Sequence, residues 1–527
     1  MPSLNWIGKE AVLNHHREVP YRLLKCEGDL SNGEPGSGNL LVEGDNLEAL
    51  KALLPYYRGR VKCIYIDPPY NTGNKDWAYN DNVDSPEIKK WLGQVIDNEK
   101  LDRHDRWLCM MWPRVSLLKE FLTRDGVLFI SLDHNEAHRC REMLESLFPA
   151  VLDALPVVTN LKGNQDEFGF AGTHEYLLVA LASAESTINQ FKVEEIKDDW
   201  DADEYGPFKK GANLKATGTN APRHKRENLF FPIFIKAEDD WFVADDDVCQ
   251  DQSYDSVFPE TNGVELSWRW EKAKLKKEPY NVLISKSKGK WTVFKKQRPA
   301  FGDFPTSKPK SVLYKPSYSS TTATNEIKAL GLQSLFQNPK PVQLIADVLQ
   351  FGSTGTSIIL DSFAGSGTTG EAMKRLNSED KGSRNCILVE MMPTTARNVT
   401  AARLKKIGLE FRYCTLGETL FDPDGQINEN VTPERLGHHI WFTETGEPLP
   451  YKVSRVEGAI HFRLGIDPNS GSSIDLLFGP LNRTTLELIQ PHEGQRIVYA
   501  DGLRLDSERL SAENIVYKAV PYDVRDR

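Results

Sequence analysis

Cysteine is scarce and scattered in this 527-residue chain: seven residues, at positions 26, 63, 109, 140, 249, 386 and 414, with no CxxC pair. That excludes a disulfide framework and a structural zinc site, so no metal ligand set is expected. Long apolar runs are also missing, since none approaches the ~18 residues of a membrane-spanning helix. The first ten residues show no basic head followed by an apolar stretch, so the expectation is a cytoplasmic protein with no membrane partner. No internal repeat or low-complexity tract is present. Hydrophobic residues at 39% and charged residues at 27% fit a globular protein, and the length implies two or three domains.

A surplus of positive charge is lacking as well. The net charge of −10 speaks against a nucleic-acid partner. The distribution reverses that reading. From Trp268 to Lys315 there are fourteen Lys or Arg against three acids, while residues 410–527 hold twelve basic and nineteen acidic residues. A chain segregated in this way can bind phosphates with one region and stay acidic overall. A solvated lysine-rich surface is the plain alternative. The interleaved aromatics Trp268, Trp270, Tyr280, Trp291 and Phe294 favour a binding face.

Two short strings carry the chemistry. Asp67-Pro68-Pro69-Tyr70 follows the apolar run 61–66, which reads as a buried strand. The Asp67 carboxylate and Pro68 carbonyl can each accept one N–H of an exocyclic amine, which aims its lone pair at an electrophilic methyl. Two prolines offer no competing N–H and stiffen the loop. Tyr70 can stack on a planar base, and a base within a duplex has to be flipped out to reach such a pocket. The second string, Phe363-Ala364-Gly365-Ser366-Gly367-Thr368, follows the apolar run 357–360, read as another strand, and opens a helix from Thr369 to Leu376. It lacks both the Gly-Lys-Ser/Thr of a nucleotide-phosphate loop and the full G-x-G-x-x-G of dinucleotide enzymes. The next strand, 386–390, ends in Glu390, placed for a ribose diol. A nucleoside cofactor without pyrophosphate fits best, with S-adenosyl-L-methionine the obvious candidate. Either string alone could be an ordinary turn.

Around these strings the chain alternates strands and helices. Strands are expected at 39–43 and 126–133, helices at 47–54, 112–122 and 136–148, with Asp45 or Asn46 as an N-cap and a mobile polar loop from Tyr70 to about Asn98. The rhythm breaks from about 160 to 315, where a hairpin is expected around Lys286-Ser287-Lys288-Gly289-Lys290. These residues resemble the β-group amino-methyltransferases of DNA, over roughly residues 39–408, with Asn338-Pro339-Lys340-Pro341 similar to the segment upstream of that family's glycine loop. Within that family the closer resemblance is to modification subunits of type III restriction–modification systems. It is carried by Gly44-Asp45-Asn46-Leu47, Tyr65 to Gly73, Ser320 to Glu326, and Ile515 to Tyr522.

The resemblance implies an α/β fold: a doubly wound, Rossmann-like methyltransferase sheet with an inserted target-recognition domain and a small α+β C-terminal extension. The implied layout is an N-terminal arm (1–38), a catalytic half (39–159), a recognition insert (160–315), a cofactor half (316–408) and an assembly domain (409–527). It implies that Asp67, Pro68, Pro69 and Tyr70 hold the base. Phe363, Gly365, Gly367, Thr368 and Asp361 would line the cofactor and Glu390 would bind its ribose, with Asp45 near its adenine and Lys340 near its methionine end. Lys286, Lys288, Lys290, Lys295, Lys296 and Arg298 would contact DNA. His174-Glu175-Tyr176 resembles a motif near the target pocket, although a strand-edge histidine reads equally well. The implied reaction is methylation of adenine N6 in double-stranded DNA by a homodimer, with a nuclease–helicase restriction subunit as a further partner. A cytosine-N4 enzyme, a catalytically idle DNA-specificity subunit and a nicotinamide dehydrogenase are the alternatives. Asp at position 67 favours adenine, and the dehydrogenase reading leaves the basic insert unexplained.

Overall fold

The computed structural model describes residues 4–34, 37–72, 102–160, 162–163, 169–192, 200–218, 220–422, 424, 426–449 and 461–520. The loop expected from Tyr70 to Asn98 falls outside these residues beyond position 72.

Among the described residues, ten strands form the main sheet: β1 (Arg22–Cys26), β2 (Leu40–Glu43), β3 (Val61–Ile66), β4 (Leu122–Leu132), β5 (Ala150–Val151), β6 (Leu155–Val158), β7 (His174–Leu181), β8 (Ile358–Asp361), β9 (Asn385–Glu390) and β10 (Arg412–Thr419). Their order across the sheet is β1-β10-β2-β9-β8-β3-β4-β7-β5, with β6 also paired to β7. The six central strands, β10 to β4, run parallel, and antiparallel β1 and β7 flank them. Central strands buried on both faces should read as continuous apolar runs, as Cys63-Ile64-Tyr65-Ile66 and Ile387-Leu388-Val389 do. The fold is therefore the doubly wound α/β sheet expected.

The decisive pairing joins β8 to β3, with Ile358 opposite Val61 and Leu360 opposite Ile64. Here the chain order along the sheet switches, and the crevice at such a point, beyond the carboxyl ends of the strands, is where open α/β sheets bind ligands. Two motifs nearly 300 residues apart in sequence thus leave neighbouring strands side by side.

Contact density divides the chain into two compact units, Gln190–Pro309 and the remainder. The inserted unit is narrower than the expected 160–315, because β7, inside that range, pairs within the main sheet. The same reason corrects the other boundaries. β1 lies inside the expected arm and β10 inside the expected assembly domain, yet both are main-sheet strands. The helix expected at 112–122 runs from Arg103 to Phe121 with Pro113 in its interior. Burial on nearly every side from Trp107 to Leu118 offsets the roughly 3 kcal/mol that an interior proline costs.

The inserted unit has its own core of Leu214, Phe231, Ile233, Trp268, Val282 and Val293. Its hairpin pairs Val282–Ser287 with Lys290–Gln297. The two turn residues, Lys288 and Gly289, both take positive φ (50° and 76°), as a tight two-residue hairpin turn requires. Beyond β10, helix Pro433–Thr445 packs Leu436, Ile440 and Trp441 on a four-stranded sheet formed by 461–466, 473–481, 496–503 and 515–519.

Candidate active site

β3 delivers Asp67-Pro68-Pro69-Tyr70 to the sheet's carboxyl edge. Trp107, fully buried on the neighbouring helix, donates its indole N–H to the Pro69 carbonyl at 2.8 Å. Asn71, left-handed at φ 56°, donates through its side-chain amide to the buried Glu136 carboxylate and to the Arg103 carbonyl (3.2 Å). His104 Nδ1 meets the same Glu136 oxygen at 2.5 Å. The C-terminal side of the di-proline turn is thus held by the chain's own side chains.

Tyr70 folds into a cluster of four polar groups. Its hydroxyl lies 3.0 Å from Asp67 Oδ1 and 2.9 Å from Glu175 Oε2, and it accepts from Lys340 Nζ at 2.6 Å. Lys340 Nζ also stands 3.0 Å from Asp67 Oδ1 and 3.5 Å from Glu175 Oε2. Burial, reinforced by the two carboxylates, pushes the Tyr70 phenol well above its ordinary range, so it is a neutral donor. Burial raises the Glu175 carboxyl too, against the pull of Lys340. For Lys340, burial disfavours the ammonium, but Asp67 and Glu175 outweigh it and the pKa rises.

Across the switch point, β8 ends at Asp361 and the glycine loop begins. Asp361 Oδ1 accepts the Phe363 N–H at 2.9 Å, and Oδ2 accepts the Thr369 hydroxyl at 2.5 Å. Gly365 and Gly367 are left-handed, at φ 49° and 78°. A Cβ on Gly365 would lie 3.1 Å from the Phe336 ring. Glu390, at the end of β9, accepts the Gly365 N–H through Oε2 and the Met392 N–H through Oε1, both at 2.9 Å. Burial pushes the carboxyls of Asp361 and Glu390 each up to about 7. Behind the loop, Thr400 donates to the Gly365 carbonyl at 2.6 Å, and Arg403 ties the hydroxyls of Ser366 (3.0 Å) and Thr368 (2.9 Å).

Asp67, Lys340, Asp361, Phe363, Gly365, Thr368 and Glu390 line one cavity of about 210 Å³, together with Tyr65, Phe336 and Asn338. Pro68, Pro69, Tyr70 and Gly367 are not in this lining, and Gly367 caps the start of helix Thr368–Asp380. Asp45 is outside this lining: it caps helix Asn46–Tyr57, accepting from Leu47 and Glu48 N–H, and pairs with Arg114 at 3.0 Å. A larger open groove of about 1140 Å³ on the C-terminal sheet contains none of the expected residues. Its Arg496 and Arg509 already pair with Glu513.

The expected DNA-contacting set divides. Lys288 and Lys290 are exposed at the hairpin turn. Lys286 stands over the Trp291 ring and 3.6 Å from Asp255. Lys295 pairs with Asp303 at 2.8 Å. Arg298 requires correction. Arg298 is 1% exposed, with Asp203, the Asn281 side chain and the carbonyls of Gly206 and Tyr280 as its acceptors, and Lys296 pairs with Asp203 at 2.7 Å. Both cations face the one Asp203 carboxylate, and it is Arg298, buried with its donors engaged inside the unit, that is not free for a phosphate. Trp268 likewise belongs to the unit's core.

Trp107, Thr400 and Arg403 carry no mark in the sequence, and Glu175 enters there only as the middle of the His174-Glu175-Tyr176 motif. Alternation along β7 was the available signal for Glu175, since it faces opposite to His174 and Tyr176. His174 is exposed and meets Tyr176 Oη at 3.2 Å, while Glu175 enters the cluster. Nothing local marks Arg403 as a brace for the loop.

The family whose description is "DNA methylase" (N6/N4 methyltransferases) matches residues 61–402. The chain is 41% identical over 408 residues to the Mod subunit of the type III restriction–modification enzyme EcoPI from Escherichia phage P1, covering 74% of this chain and 63% of that one. It is 29% identical over 420 residues to the EcoP15I Mod subunit of Escherichia coli, covering 74% and 64%. Against the type II methyltransferase M.KpnI of Klebsiella pneumoniae it is 27% identical over 392 residues, covering 74% and 88%. The matched region thus spans less than two thirds of the two Mod subunits. With the two strings on adjoining strands and the match running through both, the chain belongs to the N6/N4 DNA methylase family.

Proposed function

We propose that this protein transfers a methyl group from S-adenosyl-L-methionine to the N6 amine of an adenine flipped out of double-stranded DNA, as the recognition and modification subunit of a type III restriction–modification system. One observation carries the reading: Asp67-Pro68-Pro69-Tyr70 and the glycine loop leave adjacent parallel strands, so a base and a nucleoside cofactor would meet across a single crevice.

The cavity suits that cofactor. Gly365 leaves room beside Phe336 that a Cβ would narrow to 3.1 Å. The Glu390 oxygens, each engaged by one backbone N–H, keep lone pairs for a ribose diol. Phe336 and Phe363 offer apolar walls, and Asp361 fixes the turn at its base. When bound, S-adenosyl-L-methionine supplies an electrophilic methyl on a sulfonium. The chain's own part is to orient the acceptor. The Asp67 carboxylate and Pro68 carbonyl take the two N–H bonds of the amine, leaving its lone pair directed across the crevice. Tyr70, its hydroxyl anchored in the polar cluster, presents a fixed ring for the base to stack on. Stacking of this kind is worth about 1–3 kcal/mol, which helps offset the few kcal/mol that flipping costs.

The exposed Lys288 and Lys290 of the inserted unit would add phosphate contacts, and two copies would share reading and methylation. A nuclease–helicase restriction subunit is the proposed further partner. Light scattering of the full chain at micromolar concentration tests the dimer. Methylation-sensitive sequencing of DNA from a host expressing the protein tests the reaction. The expected result is N6-methyladenine in one fixed sequence context, absent when Asp67→Ala is expressed. A modified cytosine amine would replace the base assignment, and unmodified DNA beside well-folded protein would overturn the reading.

A further inference from the structure

Asp67 Oδ1, the oxygen that would take a substrate N–H, already faces an amine of the chain itself. Lys340 Nζ stands 3.0 Å from it, 2.6 Å from the Tyr70 hydroxyl and 3.5 Å from Glu175 Oε2. An ammonium has three N–H donors and no acceptor, and here each donor has an oxygen to face. Pro339 and Pro341 flank the lysine and stiffen the backbone, so exchange of partners falls to the side-chain torsions. Glu175 is in the opposite position. Its second oxygen, Oε1, is buried and has no hydrogen-bond partner among the described residues. A buried acceptor left without a donor is costly and gains from any donor that turns towards it.

We infer that Lys340 is a placeholder for the substrate amine and that Glu175 is the positioning residue that draws it away. In the absence of DNA, the ammonium keeps the Asp67 carboxylate aimed into the crevice. When a base amine enters, Nζ exchanges Asp67 for Glu175, and Asp67 Oδ1 accepts the substrate N–H. Hydrogen bonds are traded and no proton has to move. Only a base that presents an N–H donor beside Asp67 can complete the exchange, so the cluster selects amino-bearing bases before any methyl is transferred. This inference rests on the methyltransferase reading above.

The test is a double-mutant cycle at saturating cofactor, using the duplex that sequencing identifies as the target. Glu175→Gln cannot compensate a second charge, so Lys340 stays on Asp67 and kcat falls at least tenfold, while cofactor affinity measured by calorimetry stays within threefold. Adding Lys340→Met to Glu175→Gln removes the pinned ammonium and raises kcat at least tenfold above the single Glu175→Gln variant. A merely structural ion pair predicts the reverse, a double variant no better than its worse parent. Wild-type kcat in Glu175→Gln, or no recovery in the double variant, overturns the inference while leaving the methyltransferase reading intact. A wild-type protein that transfers no methyl overturns that reading, and the inference falls with it. If Glu175→Gln does not fold, Lys340→Met alone decides the matter. KM for the duplex should fall at least threefold once the chain's amine no longer competes, and an unchanged or raised KM refutes the placeholder.

Discussion

The Glu390 carboxylate accepts the backbone N–H of Gly365 at 2.9 Å, so the acid that ends one strand sets the shape of the loop that leaves its neighbour. A residue marked out for a ribose is therefore also a structural pin.

That double duty gives a first expectation. Glu390→Gln keeps one acceptor oxygen and leaves either the Gly365 or the Met392 N–H without its partner. An unmet buried donor costs about 1–3 kcal/mol, so cofactor affinity should drop by about ten- to a hundredfold. Calorimetric titration with S-adenosyl-L-methionine reads this directly.

Asp67→Ala should abolish methyl transfer, by about a hundredfold or more, as loss of a preorganised hydrogen-bonding group does. Cofactor binding should survive, because the loop is held by Asp361, Glu390 and Thr400. Tyr70→Ala should lose transfer in the same way, whereas Tyr70→Phe keeps the ring and should retain more activity. Single-turnover assays beside calorimetry distinguish these outcomes, and near-normal turnover in both alanine variants would refute the assignment.

Stability should depend on pH through Asp361. Its carboxyl is pushed up to about 7 by burial, whereas an aspartate in the unfolded chain titrates near about 4. Between those values the native state holds a proton that the unfolded state has released, so stability falls as pH rises, by up to about 1.4 kcal/mol per pH unit, and levels off above 7. Glu390 adds a slope of the same sign. Urea midpoints at pH 5 and pH 8 should therefore differ less for Asp361→Asn than for the wild type.

The inserted unit separates charge that binds from charge that holds. Lys288→Ala with Lys290→Ala should flatten the salt dependence of duplex binding by about 2, at roughly 0.9 per phosphate contact, without altering the melting temperature. Arg298→Ala should instead destabilise the unit by about 2 kcal/mol, below the 3–5 kcal/mol of a fully buried pair because Asp203 keeps Lys296 and some solvent. Salt titrations of DNA binding and thermal melts would show the division.

Motifs were legible in the sequence where the chemistry is local. An apolar strand followed at once by Asp67-Pro68-Pro69-Tyr70, or by the glycine loop, reports its own position on a sheet edge. What depends on a distant partner was not legible. Arg298 counts in the sequence as one more surface charge, whereas Asp203, 95 positions away, holds it inside the unit. Glu175 lay beside a more conspicuous histidine, and only the folded chain brings it to Lys340. The insert's limits were misjudged for the same reason, because β7 has the pattern of a strand but nothing in it names β4 as its neighbour.

The pairing of β1 with β10 also governs how the protein can be made. Arg22 and Gly417, joined by a hydrogen bond at this edge, lie 395 positions apart. During synthesis β1 must wait for nearly all of that length to leave the ribosome, and β2, whose two neighbours are β9 and β10, waits almost as long with both sides open. The contiguous stretch Gln190–Pro309 can close its own core well before then. Unpaired strand edges in a nascent chain invite aggregation. A ribosome stalled near residue 400 should therefore carry a finished insert beside an unfinished sheet, and the demand for chaperone protection should peak there and end once β10 has emerged.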